Sequence, residues 1–294
     1  MPSLKGGVDI STIGIVGAGV MGKDLAITCA AHGNDVLLHD HDPDVLEAAD
    51  GEIRTLVRSY RIMSKGDSRW CTEIVSGRIR TTGYLAGVAG VDWVIESIAE
   101  DVAAKERVHR ELREVCGDGP AIAVNTSCVS ITRIAALAAR PGAVIGMHFM
   151  NPAPLTECVE LVRGHLTSDE TTRRAEDFVG ALGKRPVVVH DSPGFVSNRL
   201  SHLFMNEAAF LVQEGVAEPA QIDEIFTFGY GHKMGPLATA DLIGLDTVVD
   251  SLQVLYDDMQ DPKFRCCPLL KKMVDAGRVG RKSGQGFYSY GASP

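Results

Sequence analysis

The side chains best suited to acid–base chemistry in this sequence sit in two neighbouring apolar runs. His148 lies in Val144–Phe149 (VIGMHF), a run that stops at Asn151-Pro152, and Glu160 interrupts Val159-Glu160-Leu161-Val162. Imidazole is the side chain whose charge changes nearest neutral pH. A carboxylate in an apolar run needs a partner if it is buried. A paired Glu160 would orient His148 and stabilise its charged form, the arrangement of a general base. Two further polar positions end or begin elements: Ser127 in Asn125-Thr126-Ser127, and Asn198 at the start of a long helical pattern. Spacing alone leaves each with two readings. Ser127 is a helix cap for residues 131–139 or a substrate contact, and Asn198 is an exposed first-turn amide or a second contact in a cleft between domains.

A second chemistry is written in Gly17-Ala18-Gly19-Val20-Met21-Gly22, which follows an apolar run and opens a helical stretch through Ala31. G-x-G-x-x-G at the first strand-to-helix turn is the pattern of a dinucleotide site. Gly17 makes the tight turn, Gly19 lets pyrophosphate approach the backbone, and Gly22 lets helix and strand pack closely. The amides of Val20 and Met21, at the helix N-terminus, face the phosphates. Asp40 closes the second strand 18 residues after Gly22. Its carboxylate would accept from the ribose hydroxyls and repel a 2′-phosphate, which selects NAD over NADP. NADP would need a cation such as Arg61 to fold back on the site.

The elements that must hold these groups follow from the apolar runs. Thr12–Val16, Asp35–His39, Val91–Glu96, Ala121–Asn125 and Val144–Phe149 read as buried strands alternating with helices, which implies βαβ units and a parallel sheet. Cys158–Val162 and Pro186–Val189 read as two more strands. His148 then stands at the C-terminal end of a strand, where such sheets bind ligands. Asp191-Ser192-Pro193 reads as a helix start, and apolar residues from Val196 to Val212 recur at helical spacing. Further helices are expected at 219–227, 240–260 and 267–276, with a short strand at 286–290. The fold expected is an α/β Rossmann-type domain over residues 1–190 and an all-α domain over 191–294. Residues 42–81 are long for one crossover and read as a helical hairpin, with a turn at Lys65-Gly66-Asp67, projecting from the sheet edge.

Composition excludes several classes. The 294 residues are 45% hydrophobic and 23% charged, with a net charge of −9. That is an ordinary globular balance and a poor one for binding nucleic acid or an anionic membrane. None of the seven cysteines forms C-x-x-C, so no metal site is expected. Met1–Gly7 carries no apolar leader and no run spans a membrane, which points to a reduced, cytoplasmic protein.

The quoted motifs, taken together, resemble those of the NAD-dependent 3-hydroxyacyl-CoA dehydrogenases. His148-Phe149-Met150-Asn151-Pro152 with Val159-Glu160-Leu161-Val162 resembles that family's H-F-x-N-P…V-E-x-[IV] signature. Asn125-Thr126-Ser127, Asp191–Leu200 (DSPGFVSNRL), Met234-Gly235-Pro236, Gly244-Leu245-Asp246 and Arg281–Tyr288 (RKSGQGFY) match as well. The resemblance runs in order from Thr12 to Tyr290. It implies His148 as base, Glu160 as its partner, and Ser127 and Asn198 on substrate oxygens. It also implies Glu100 and Lys105 as a cofactor-contacting pair, and a helical second domain that dimerises. Asn125 and Asn151, at two strand ends, join the cofactor-binding set.

Met150 and Cys128 depart from the usual residues without removing a chemical group. The hairpin departs more: it carries seven acidic and seven basic residues, and Lys65 is its one lysine, where many relatives are lysine-rich. Arg54, Arg58, Arg61 and Lys65 share one helix face if the helix continues that far. Such a row suits a CoA phosphate or the acidic helix of an acyl carrier protein, as in the branch that serves polyketide assembly, and a row fits a carrier helix slightly better. The expected activity is hydride transfer between NAD and C3 of a 3-hydroxyacyl thioester. The alternatives are a crystallin-like protein that binds NAD without catalysis, and a dehydrogenase of free 3-hydroxy acids.

Overall fold

The computed structural model describes residues 12–291; Met1–Gly7, read above as lacking a leader, lie outside them. The chain forms two compact units, Met1–Asp191 and Ser192–Pro294.

The first unit is one eight-stranded sheet in the order β3-β2-β1-β4-β5-β6-β7-β8. Its strands are β1 (Thr12–Val16), β2 (Asp35–His39), β3 (Ile79–Thr82), β4 (Trp93–Glu96), β5 (Ala121–Val124), β6 (Val144–Phe149), β7 (Cys158–Arg163) and β8 (Arg185–His190). The central strands β4, β5 and β6 are buried along their whole length, as continuous apolar runs require when both faces are covered. The first six strands are parallel, but β7 runs antiparallel to β6. The five strands read as a parallel sheet are parallel, and the reversal comes only at the run after them. The reversal matters, because it sets His148 directly opposite Glu160 in register.

The helices of this unit are α1 (Val20–Ala31), α2 (Pro43–Met63), α3 (Thr72–Gly77), α4 (Val102–Cys116), α5 (Ile131–Ala135) and α6 (Asp169–Ala181). Asp42 caps α2 by accepting from the Asp44 amide, with Pro43 at the first helical position. Its buried stripe Ala49, Ile53, Val57 and Tyr60 belongs to the main core. The hairpin therefore lies on the sheet layer rather than projecting from the edge. Lys23 of α1 pairs with Glu52 of α2, and the Tyr60 hydroxyl donates to buried Asp24 at 2.6 Å. The hairpin's second arm is only the six residues of α3, and residues 79–82 form edge strand β3 instead.

The second unit is helical: α7 (Ser197–Gln213), α8 (Pro219–Glu224), α9 (Pro236–Ile243), α10 (Leu245–Met259) and α11 (Pro268–Asp275), around Met205, Ala209, Leu237, Leu245, Leu252 and Leu270. Three expectations change here. Asp191 does not start α7; its carboxylate accepts from Ser130 Oγ (2.9 Å) and the Thr132 amide (2.8 Å), so it joins the Ser130 cap at the start of α5 in the first unit. Gly244, at φ +106°, divides the expected helix 240–260 into α9 and α10. Residues 286–290 form no strand; Ser289 alone among them makes an isolated bridge, to Gln285. Asp241 accepts from the Phe287 and Tyr288 amides at 3.0 and 2.9 Å, so the Arg281–Tyr288 motif fastens to α9.

Candidate active site

Strand β6 ends at the C-terminal edge of the sheet and delivers His148 there, 7% exposed. Its Nδ1 lies 2.7 Å from Glu160 Oε2, and both side chains are buried. With Nδ1 committed to the carboxylate, Nε2 is the nitrogen available for proton transfer, and it lies 3.4 Å from Ser127 Oγ. The cap of α5 is Ser130, whose Oγ accepts from the Arg133 amide. Ser127 thus stands beside the imidazole rather than at the helix end.

The loop carrying Ser127 is held by Glu100. One carboxylate oxygen accepts from Thr126 Oγ1, the Ser127 amide (2.8 Å) and the Cys128 amide (3.0 Å). Asn125 is buried; its amide donates to Ser97 Oγ at 3.1 Å and its oxygen accepts from the Phe149 amide at 3.3 Å, which ties β5 to β6. Asn151 is exposed and precedes Pro152 through a cis peptide bond.

Lys105 is not placed to touch a cofactor, because it has no exposed surface. Its ammonium donates to Glu96 Oε1 (2.8 Å) and the Asn125 carbonyl (3.2 Å), and lies 3.7 Å from Glu100. His109 Nε2 lies 3.2 Å from the other Glu96 oxygen. Burial alone would raise the Glu96 pKa, but His109 and Lys105 outweigh it and hold the carboxyl below its usual range. This buried cluster supports the Asn125–Cys128 loop from beneath. The sequence signal for it was present and unread: Lys105, His109, Leu112 and Cys116 are the inward face of α4, spaced by four, three and four.

The dinucleotide turn has the shape the motif requires. A Cβ on Gly17, at φ +107°, would fall 2.6 Å from the Ser97 carbonyl oxygen, and one on Gly22 would fall 1.8 Å from the Gly17 carbonyl oxygen. Gly19 differs: no protein atom lies within 4 Å of its would-be Cβ. The fold itself does not require glycine at 19, whereas a group approaching the backbone from outside does. No side chain caps α1, so its first amides, Val20 and Met21 among them, point outward without an intrahelical acceptor. Asp40 Oδ2 accepts from the Ala18 amide at 2.8 Å and Oδ1 from the Asp42 amide at 3.1 Å. These residues fit a dinucleotide. Arg61 stands about 27 Å along the axis from the start of α2 and cannot reach back to a 2′-phosphate at Asp40.

The expected cationic row does not form. The helix ends at Met63, and Lys65 adopts φ +57° in the following turn. Arg54 is paired with Asp50 at 2.8 Å, which leaves Arg58 and Arg61 as the exposed cations of α2. Asn198 stands in the first turn of α7, in the second unit, and its carbonyl accepts from His202 Nδ1 at 2.8 Å.

Comparison with known proteins agrees with this geometry. Residues 12–192 match the 3-hydroxyacyl-CoA dehydrogenase NAD binding domain, and residues 194–290 match the 3-hydroxyacyl-CoA dehydrogenase C-terminal domain.

The chain belongs to the 3-hydroxyacyl-CoA dehydrogenase family.

A probable 3-hydroxybutyryl-CoA dehydrogenase of Deinococcus radiodurans is 44% identical over 277 residues, 94% of this chain and 99% of that one. Its counterpart in Bacillus subtilis is 44% identical over 285 residues, 96% and 98% of the two chains. The crystal structure of (S)-3-hydroxybutyryl-CoA dehydrogenase from Ralstonia eutropha superposes with a TM-score of 0.90 at 39% identity, covering 96% of this chain and 99% of that one. Family membership makes the chain an NAD-dependent dehydrogenase with its NAD site in the first unit. Among the described residues no helix is long and apolar enough to cross a membrane, and no cluster of His, Cys, Asp and Glu could hold a metal ion.

Proposed function

We propose that this dehydrogenase interconverts a short 3-hydroxyacyl-CoA, of the size of 3-hydroxybutyryl-CoA, and its 3-keto form. The observation that carries the reading is the buried His148–Glu160 pair, 2.7 Å apart, with Nε2 beside Ser127. NAD, when bound, supplies the hydride chemistry at its nicotinamide. Ser127 holds the C3 oxygen. His148 takes the hydroxyl proton on Nε2, and Glu160 stabilises the imidazolium that forms. In the reverse direction His148 returns that proton to the C3 oxygen. Asn198 orients the thioester end. Gly17, Gly19, Val20, Met21 and Gly22 bind the pyrophosphate, Asp40 the adenosine ribose, and Glu100, Asn125 and Asn151 frame the nicotinamide side. Lys105 holds that frame from beneath, through Asn125 and Glu100, without touching the cofactor.

CoA is favoured as the carrier over an acyl carrier protein. The close relatives named above are named for CoA substrates, and the charged row that a carrier helix would need is broken at Arg54 and Lys65. Arg58 and Arg61 remain as cations for the CoA phosphates. An intact His148–Glu160 pair argues against a crystallin-like role without catalysis. A homodimer is supported by the second unit, where Ile225, Phe228 and Tyr230 lie exposed close together in sequence; Phe228 is 86% exposed.

The test is NADH oxidation with acetoacetyl-CoA, acetoacetyl-carrier protein and free acetoacetate at matched concentrations. The highest kcat/KM is expected on the CoA thioester. A higher value on either of the others would reject the carrier assignment.

A further inference from the structure

In the segment that follows the catalytic strand, packing buries Ala153 and Pro154 but leaves Leu155 and Glu157 exposed. Residues 154–157 border a hollow of about 210 Å³ lined also by His32, Arg69 and Trp70. Leu155 is itself exposed. Within the segment, the Leu155 and Thr156 amides both donate to the Pro152 carbonyl at 3.1 Å, which makes a local turn but does not attach it to the fold.

Ala153 sits in the main core and the Glu157 carbonyl accepts from the Arg185 amide at 2.7 Å; between them, the attachment comes from one buried cation. Lys184, at the entry to β8 and only 9% exposed, donates to the Ala153 carbonyl at 2.6 Å and the Thr156 carbonyl at 2.7 Å. On its amide side, Ala153 interacts with the buried Asp24 carboxylate of α1, which also holds Tyr60 of the hairpin. Ala153 is thus held at its carbonyl by Lys184. It lies two residues beyond Asn151 and five beyond His148. Burying an ammonium is costly unless its protons are satisfied. A lysine spent on two carbonyls, rather than on a carboxylate, is fixing backbone.

We propose that Lys184 is a positioning residue for the proton transfer: it pins Ala153 and Thr156 and so fixes the end of β6, which carries His148. The catalytic half of this proposal rests on the role given to His148 above. The structural half does not.

The experiment uses Lys184→Met and Lys184→Arg in the full chain. Three quantities are read: amide exchange of 151–157, NADH affinity by fluorescence, and kcat with acetoacetyl-CoA. In Lys184→Met the Leu155 and Thr156 amides should exchange at least about tenfold faster than in the wild type, with the β1–α1 segment unchanged. The kcat should fall about 10–10²-fold, the cost of a misplaced reacting group, while NADH affinity stays within about threefold. Lys184→Arg, which keeps charged donors, should recover most of the kcat. Unchanged exchange in 151–157 overturns the clamp, whatever the activity. Faster exchange with wild-type kcat overturns the positioning role. So does a loss of NADH affinity equal to the loss of kcat, because that is general destabilisation. If wild type itself fails to turn over acetoacetyl-CoA, the functional reading fails, and exchange alone still decides the clamp. Should Lys184→Met not fold, Lys184→Gln, which keeps an N–H donor, is read by the same three quantities.

Discussion

Replacing Glu160 by Gln keeps the shape and one hydrogen-bond acceptor but removes the charge opposite His148. The size of the effect follows from the geometry. Nδ1 and Oε2 are 2.7 Å apart and the centres of charge about 4 Å apart, which at an effective dielectric of about 20 gives an attraction of about 4 kcal/mol once the imidazolium forms. The neutral amide returns about 1 kcal/mol as an ordinary hydrogen bond. The remaining 3 kcal/mol or so appears only as the proton arrives on His148, and corresponds to about a 10²-fold loss of kcat. The assay is NAD reduction with 3-hydroxybutyryl-CoA at saturating substrate, paired with an NADH titration. KM and NADH affinity should change little, because Glu160 faces the imidazole and not the ligands. A kcat within fivefold of wild type would refute the electrostatic role. An equal loss of NADH affinity would make Glu160 a folding residue instead.

Three further outcomes separate the other parts of the site. Gly19→Ala should fold like the wild type, since its new methyl meets no protein atom, yet bind NADH roughly tenfold more weakly, a cost of about 1.4 kcal/mol; wild-type affinity would deny that pyrophosphate lies against Gly19. Asp40→Ser should narrow the NADH-over-NADPH preference in kcat/KM by about 10–100-fold, the worth of a charged hydrogen bond or two; an unmutated protein that uses both equally would refute the cofactor assignment. Lys105→Met strands buried Glu96 and should cost about 3–5 kcal/mol in chemical denaturation. Because the pKa of Glu96 is lower in the folded protein than its ordinary value near 4.5, its share of stability is present above that value and is lost as pH falls through the lower folded value. Glu96→Gln should flatten the acid limb of the stability curve below about pH 4.5; an unchanged acid limb would mean that the cluster carries no charge.

How much of this was legible in the sequence depends on the range of the interaction. The glycine turn, Asp40 and the strand Val144–Phe149 that carries His148 are local patterns, and each stands in the structure where its spacing put it. The His148–Glu160 pair was suggested by a carboxylate in an apolar run and strengthened by resemblance. What fixes it physically is the antiparallel register of β6 and β7, and strand direction is not written in an apolar run of six. Glu96 and His109 went unread, and Lys105 was given to the cofactor, because charged residues are ordinarily assigned to the solvent face, although their spacing put Lys105 and His109 on the inward stripe of α4. Asp191-Ser192-Pro193 gave a genuine capping signal for the wrong helix: a carboxylate caps whichever free amides the fold brings to it, and here those belong to α5. Lys65 left the cationic row because the helix ends at Met63 and Lys65 opens the turn that Lys65-Gly66-Asp67 marks in the sequence.

The account turns on His148 as the proton-transfer group of an NAD-dependent 3-hydroxyacyl-CoA dehydrogenase. The most direct measurement is the turnover of acetoacetyl-CoA with NADH by the wild-type protein and by His148→Gln, alongside NADH binding to both. The account predicts robust wild-type turnover, a kcat lower by about 10²–10⁴-fold in the variant, and NADH affinity within about twofold, because proton transfer and dinucleotide binding use different residues. A His148→Gln protein that keeps more than half of the wild-type kcat would contradict it.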